Sequence, residues 1–211
     1  MGAARPQTPR RSPRQAFRGN MGAHAPLRHS NQPKQDRRIP VLSCPASGVR
    51  SERLRKEGHH FIFDDDDAGE AADIITVDES SGILCIHLYH CKFSSGAQAG
   101  ARIKDCYEVC GQAVKSARWV DNHLRLLNHI QRRENKASRG SRESRFEHGS
   151  RRALANLTRQ AKRMHANFRI SIVQPGILKS KVTSGMSSVL GAADTFIRDF
   201  TGHEMGVFGS E

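Results

Sequence analysis

Three polar side chains lie at the ends of two apolar segments that follow one another in the sequence. Asp73 opens the first segment, and His90 and Lys92 lie near the end of the second. Alternate side chains of a strand share a face, so we expect His90 and Lys92 to point one way and Cys91 the other. A lysine at the end of an apolar strand is costly to bury without a partner, and Asp73 on the neighbouring strand is the natural one.

The surrounding residues predict the strands that carry this pair. Segments 59–64, 73–79 and 83–93 are rich in β-branched and aromatic residues, and Ser80-Ser81-Gly82 forms a tight turn between the last two. The three strands are expected to form an antiparallel meander. A Ser/Gly/Ala loop over 94–100 follows.

A helix is predicted over 101–118, with two stripes at helical spacing. The expected core stripe consists of Ile103, Cys106, Tyr107, Cys110, Ala113, Val114 and Ala117. The second stripe is polar except for its last member and consists of Asp105, Glu108, Gln112, Lys115 and Trp119. We expect Trp119 to cover the core.

The rest of the chain predicts an α/β sandwich. Its segments are a helix over 120–133, a charged loop over 135–149, a helix over 150–165, a strand over 168–174, a helix over 184–200 and a closing strand over 205–208. The last helix is expected to face inward with Met186, Val189, Leu190, Ala193, Ile197 and Phe200. The strand after the crossover should join the sheet beside the third strand.

The charge is distributed unevenly. The net charge is +13, and residues 1–50 hold ten Lys or Arg and one acid, which predicts a disordered basic N-terminal arm. Residues 61–80 hold eight acids and no Lys or Arg, whereas residues 125–163 hold twelve basic residues and three acids. This basic stretch, which includes Arg132 and Arg133, is expected either to bind a polyanion or to form a solvated face.

The composition also excludes some classes of protein. Five irregularly spaced cysteines are typical of reduced thiols in a cytoplasmic protein, not of a disulfide framework. No run of 18 apolar residues occurs, so no membrane contact is expected. No GxxxxGK[ST] motif occurs, so the chain itself predicts no ATPase site.

The Asp73 and Lys92 arrangement resembles the PD-(D/E)xK nuclease superfamily. The resemblance implies a restriction-endonuclease-like three-layer sandwich, in which a central mixed sheet is flanked by helices, over residues 58–211. It also implies hydrolysis of nucleic-acid phosphodiesters, with DNA as the expected substrate and Mg²⁺ or Mn²⁺ as the cofactor. Asp73 and the Cys91 carbonyl would be metal ligands, and Lys92 would orient the attacking water or stabilise developing charge.

The sequence departs from this pattern at His90, which occupies the position of the second acid. An imidazole suits Mg²⁺ less well than a carboxylate does. Glu70 or Glu108 could supply the missing carboxylate. The resemblance further implies that Gln112 and Lys115 support the metal site or contact a phosphate, whereas the alternative is a stripe that faces solvent.

A longer string resembles a more specific group, the nuclease-like module at the C-terminal end of bacterial DEAD/DEAH-type helicase proteins. The matching segments are LYHCKFS (88–94), DxYEVCGQAxKSxxW (105–119) and FRISIVQPGI (168–177). This resemblance implies a helicase or ATPase partner, or a helicase region to which the chain belongs.

Three hypotheses follow from the sequence. The first is a metal-dependent nuclease, and the second is an inactive domain of the same fold that binds nucleic acid. The third is an interaction or helicase-associated accessory domain. Convergence of Asp73, Lys92 and either His90 or Glu70 at metal-coordination distance would favour the first, and convergence with too few oxygen ligands would favour the second.

Overall fold

The computed structural model describes residues 57–92, 102–140, 143–174, 177 and 179–209. The strands are β1 (Phe61–Asp64), β2 (Ile74–Ser80), β3 (Ile83–Cys91), β4 (Phe146–His148), β5 (His165–Val173) and β6 (Gly206–Phe208). The helices are α1 (Ile103–Ser116), α2 (His123–Arg139), α3 (Arg151–Gln160) and α4 (Ser184–Thr201). Short 3-10 turns follow α1 and α3 and precede α4. The predicted N-terminal arm and the 94–100 loop lie outside the described residues.

The six strands form one mixed sheet in the order β4-β1-β2-β3-β5-β6. The predicted antiparallel meander of β1, β2 and β3 is confirmed. The strand after the crossover, β5, does pair with β3, and it runs parallel to it. Strand β4 was not predicted, because it is a three-residue edge strand inside the segment expected to be a loop.

Local side-chain contacts define where the helices start and stop. Asn122 Oδ1 accepts the Arg125 N–H at 2.9 Å, and Ser150 Oγ accepts the Ala153 N–H at 3.2 Å. Thr183 Oγ1 accepts the Met186 N–H at the start of α4. These caps satisfy backbone donors that a first helical turn leaves unpaired. Gly202, with a φ of 71°, ends α4 in a left-handed conformation that glycine adopts readily.

In the described residues, the main core lies between the helices and one face of the sheet. Its strand members alternate, as in Phe61, Phe63, Ile75 and Val77, and they pack with the buried sides of all four helices. The opposite face carries a smaller apolar cluster that consists of Ile62, Ile74, Tyr89, Cys91 and Val173. The α/β class with a mixed sheet and helices is therefore confirmed, and the three-layer arrangement stays a prediction.

Most of the predicted core stripe of α1 is confirmed. Its buried members are Cys106, Cys110, Ala113 and Ala117, and Val114 is partly buried against the core. Two members of the predicted stripe are wrong, because Tyr107 is 61% exposed and Ile103 is 43% exposed. Val109 and Asp105, which the prediction left outside this stripe, are buried.

The other helix predictions are mostly confirmed. On α4, Met186, Val189, Ala193 and Ile197 are buried as expected, but Phe200 is 48% exposed. Phe200 lies in the last turn of α4, where its ring pairs with that of Phe196. Trp119 belongs to the core, as predicted. No helix of the described residues is long and apolar enough to cross a membrane.

Candidate functional site

The antiparallel pairing of β2 and β3 brings Asp73 beside the end of β3. Ile74 lies opposite Tyr89, so Asp73, one residue earlier, lies near His90 and Cys91. The Asp73 carboxylate accepts the Cys91 N–H at 2.8 Å, and its Oδ2 atom lies 3.8 Å from His90 Nδ1. Asp73 is buried among these groups. The predicted approach of the two strand ends is therefore present, with His90 as the neighbour of Asp73.

The acidic turn between β1 and β2 is anchored to α2 by a buried carboxylate. Asp65 is fully buried, and it accepts the Ala71 N–H at 2.7 Å and a ring nitrogen of His129 at 2.9 Å. Its other carboxylate oxygen accepts Arg133 Nε at 2.7 Å. A carboxylate bound on both oxygens holds the turn in one conformation, and this turn carries Glu70 toward the end of β3.

Four of the predicted site residues line one small cleft, of about 80 Å³. They come from three segments: Glu70 from the turn, His90 from β3, and Gln112 and Lys115 from α1. Arg118, in the 3-10 turn after α1, completes the polar lining with Ser116. The second stripe of α1 thus faces a cleft over part of its length.

His90 has an unusual environment for a titratable side chain. It is buried, and both ring nitrogens lack a hydrogen-bond partner among the described residues. Burial lowers the pKa of His90 from 6.5 to about 4, even though the Asp73 carboxylate lies nearby. The ring is therefore neutral at pH 7, and one nitrogen has a lone pair that no protein donor uses. Gln112 also has a buried carbonyl oxygen without a donor.

Lys92 does not pair with Asp73 in the way the sequence suggested. Its ammonium lies 2.5 Å from Oε1 of Glu108 on α1, and both side chains are partly exposed. Lys92 and Glu108 lie 16 residues apart in sequence. The pair forms because β3 ends beside α1, a neighbourhood that strand alternation alone does not reveal. Glu108, predicted as an alternative metal ligand, is thus bound to Lys92.

The two arginines predicted to contact nucleic acid differ in position. Arg132 is exposed on α2. Arg133 points the other way, and it donates to the Asp65 carboxylate and to the carbonyl oxygens of Asp65 and Ala68. Arg133 is thus occupied in anchoring the acidic turn, so the structure assigns it a structural contact in place of the predicted phosphate contact. Adjacent helical residues point about 100° apart, which explains the difference.

The described residues offer few side chains for the divalent metal that the resemblance implies. Among the described residues, no three His, Cys, Asp or Glu side chains lie close enough together to hold a metal ion. Mg²⁺, however, is usually held by one or two carboxylates and completed by water and substrate phosphates. Asp73 and Glu70 fit that requirement by type, and His90 has a free nitrogen lone pair beside Asp73. Cys106 and Cys110 lie in the core.

Three site-related residues were not singled out by sequence reasoning. Arg118 lines the cleft, and Asp65 and His129 anchor the turn. Asp65 lies in a run of four aspartates, and nothing in the sequence of that run distinguishes it from its neighbours. His129 and Arg133 are four residues apart on α2, a spacing that indicates a shared face but does not identify a partner.

The chain matches no protein-family model, and no curated protein or solved structure is significantly similar to it. The assignment to a nuclease superfamily thus has no support from comparison. The residues that line the cleft are the structural basis for a functional proposal.

Proposed function

We propose that the chain hydrolyses nucleic-acid phosphodiesters, with DNA as the substrate, in the cleft between the end of β3 and α1. The observation that carries this proposal is the convergence of Glu70, His90, Gln112 and Lys115, from three segments, on one cleft. Asp73 lies at its edge, 3.8 Å from His90. The proposed setting is the cytoplasm, with a helicase or ATPase as partner, in line with the resemblance of the sequence.

Asp73 would hold a divalent metal together with one further side chain, either His90 or Glu70, and water and substrate phosphate oxygens would complete the coordination. Such an ion polarises a bound phosphate and lowers the pKa of a bound water, which makes the water a nucleophile at neutral pH. Nitrogen ligands suit Mn²⁺ better than Mg²⁺. The donor set therefore favours Mn²⁺ as the more effective cofactor. The Cys91 carbonyl is a further proposed ligand.

The remaining side chains would act on the substrate directly. Lys115 and Arg118 line the cleft and are exposed, so they can bind a non-bridging phosphate oxygen. The buried Gln112 carbonyl oxygen has no protein donor and can accept a hydrogen bond from the attacking water. Lys92 can stabilise charge that develops on the phosphate, once its ammonium exchanges Glu108 for a phosphate oxygen.

A second candidate function is binding of nucleic acid without cleavage. The specific observation in its favour is that no described trio of metal-ligating side chains exists, while Glu108 is paired with Lys92. In that case the cleft would bind phosphate through Lys115 and Arg118 alone. A helicase-associated interaction domain would need neither the cleft nor the cations.

Cleavage of supercoiled plasmid and of a labelled single strand, with Mg²⁺, Mn²⁺ or EDTA, distinguishes these functions. Metal-dependent cutting by the wild type that is lost in Lys92→Ala, but kept in Lys104→Ala, would support hydrolysis. Lys104 is an exposed lysine in the first turn of α1 and serves as the matched control. No cutting with either metal, together with salt-sensitive binding, would support the second candidate instead.

A further inference from the structure

The solvent side of α2 carries a row of cations. Arg125, Arg132, Lys136 and Arg139 are all exposed. An α-helix rises 1.5 Å per residue and turns every 3.6 residues, so these positions follow one side of the helix over about 21 Å. We call these four side chains the α2 ridge. Four of the twelve basic residues of the 125–163 stretch thus lie along one line.

The four cations of the α2 ridge form no ion pairs among the described residues, although Asp67 lines a pocket with Lys136. The neighbouring Arg133 and Arg145, by contrast, pair with Asp65 and Asp67. Like charges four residues apart, as at Arg132 and Lys136, repel each other on a helix. Repulsion within this row therefore lowers the free energy of unfolding, and a bound anion would raise it again.

The α2 ridge is continuous with the candidate cleft. Arg118, which lines the cleft, has its guanidinium carbon 5.3 Å from the centre of the Trp119 ring. Arg125, the first residue of the ridge, lies 5.4 Å from the same ring centre. Trp119 is buried and fixed in the core, so one indole positions both guanidinium groups. A strand bound along the ridge would reach the cleft at Arg118.

The groove beside the ridge, between α2 and α3, is also free of acids. Its polar lining consists of Asn128, Gln131, Thr158, Arg159 and Lys162, and its volume is about 420 Å³. Amide and hydroxyl groups next to cations are the donors that contact phosphate and sugar oxygens in nucleic-acid complexes. The groove therefore extends the same chemistry to one flank of the ridge.

The chemistry of the α2 ridge fits nucleic acid better than a protein. Protein interfaces have an apolar centre. None of the large exposed hydrophobic side chains of the described residues lies on α2; they are Ile83, Ile103, Tyr107, Phe196 and Phe200.

We propose that the α2 ridge binds the sugar–phosphate backbone of duplex nucleic acid, without base specificity, and directs it to the cleft at Arg118. This inference rests on the proposed function for the identity of the substrate, but it concerns binding and requires no catalysis. Four cations without acidic partners supply the attraction through counterion release. The cleft then acts on a backbone that the ridge has already bound.

The test is equilibrium binding of a 30-base-pair fluorescent duplex, measured by anisotropy in EDTA so that metal-dependent cleavage is blocked. The ridge variant is Arg132→Gln/Lys136→Gln/Arg139→Gln. The matched control, Lys104→Gln/Arg169→Gln/Lys181→Gln, removes three exposed cations elsewhere on the molecule. We expect the ridge variant to bind more than about tenfold more weakly, and the slope of log affinity against log salt to fall by about 2.7. The control variant should keep most of the wild-type affinity and most of the wild-type salt slope.

The outcomes distinguish this inference from the proposed function. Loss of duplex binding in the ridge variant supports the inference that the α2 ridge binds nucleic acid, even if the wild type does not cleave DNA. Equal affinity and slope in the wild type and the ridge variant overturn it, even where the wild type cleaves DNA. Binding to phosphatidylserine vesicles but not to the duplex overturns it too. Arg132→Lys/Arg139→Lys should retain binding, and the melting temperature of each variant excludes unfolding as the cause.

Discussion

His90 occupies the position at which the nuclease pattern has a second acid. The side chain is buried beside Asp73, and neither ring nitrogen has a protein partner among the described residues. Burial lowers its pKa to about 4, so the ring is neutral under physiological conditions. A neutral imidazole beside a carboxylate is a ligand pair suited to a transition metal. A histidine at this position would therefore change the metal preference of the proposed site.

The buried His90 ring should make stability depend on pH. Its pKa is about 4 in the folded chain and 6.5 in the unfolded chain, so the unfolded state binds a proton first as the pH falls. The free energy of unfolding is then greatest above pH 6.5 and decreases between pH 6.5 and about 4. Urea unfolding at pH 7.5 and pH 5 measures this decrease.

The matched variant for this prediction is His90→Gln, which keeps a polar side chain of similar length but does not titrate. Its free energy of unfolding should fall less between pH 7.5 and pH 5 than that of the wild type. Burial and the charge of Arg169 also lower the pKa of His87, to about 3, so some pH dependence remains in the variant. An unchanged decrease in His90→Gln would contradict the prediction.

Removing the ammonium group of the Lys92–Glu108 pair should lower the cleavage rate and leave the stability of the fold almost unchanged. The pair is partly exposed, and pairs of this kind contribute about 0.5 kcal/mol or less. We expect Lys92→Ala to leave the melting temperature within about 2 °C of the wild type. It should reduce metal-dependent cleavage by about 100-fold, because it removes charge stabilisation in the transition state.

Glu108→Gln removes the same ion pair but keeps the lysine, so it serves as the control. It should lower cleavage by much less than Lys92→Ala does. Equal losses in the two variants would mean that Lys92 acts only through its tether to Glu108.

Much of the candidate site was predicted residue by residue, because strand and helix spacing carry the information. Alternation predicted that His90 and Cys91 point to opposite faces of the sheet, and helical spacing predicted that Gln112 and Lys115 lie on one stripe. The partner of Lys92 could not be predicted, since it depends on how α1 docks against the end of β3. The role of Asp65 depends likewise on a contact across 64 residues with His129.

The turn between β1 and β2 depends on α2 for its conformation. Asp65 is fully buried, and Arg133 and His129 supply its side-chain donors. Removing one partner of a buried ion pair leaves a charge without compensation, which costs about 3 kcal/mol or more. We therefore expect Arg133→Gln to lower the free energy of unfolding by about that amount, measured by urea unfolding at pH 7.5.

Arg132→Gln is the control for this prediction, because it removes the same charge from the adjacent, exposed position. Its effect should be below about 0.5 kcal/mol. The double variant Asp65→Asn/Arg133→Gln should lose less stability than the sum of the two single variants, since the two side chains contact each other. Strict additivity would show that Arg133 does not stabilise Asp65.

At the scale of elements, the sequence predicted the meander, the crossover and the closing strand. These elements have strong alternation or helical periodicity, and their ends fall within a few residues of the predicted ones. Strand β4 was not predicted, because three residues are too few for a periodic signal. The start of α2 is marked by the Asn122 cap, but its last turn runs through a segment expected to be a loop.

In the described part of the molecule, the acidic turn and the α2 ridge differ in how their charges are paired, although Asp67 and Lys136 line one pocket. The acidic turn is neutralised by Arg133 and Arg145, whereas the α2 ridge is left without acidic partners in the described part of the chain. Arg118, which lines the candidate cleft, and Arg125, the first residue of the ridge, lie over the same Trp119 ring. A positive ridge that leads to a polar cleft is the arrangement expected of a protein that binds a polyanion and acts on it.

The central claim is that the cleft beside Asp73 hydrolyses phosphodiesters. The most direct measurement is metal-dependent nicking of supercoiled plasmid by the wild type and by Asp73→Asn, with Asp199→Asn as an exposed control. Each protein is first shown to bind DNA in EDTA. We expect nicking by the wild type and by Asp199→Asn with Mn²⁺ or Mg²⁺, and a rate about 100-fold lower in Asp73→Asn. Equal rates in all three, or binding without nicking by the wild type, would contradict the claim.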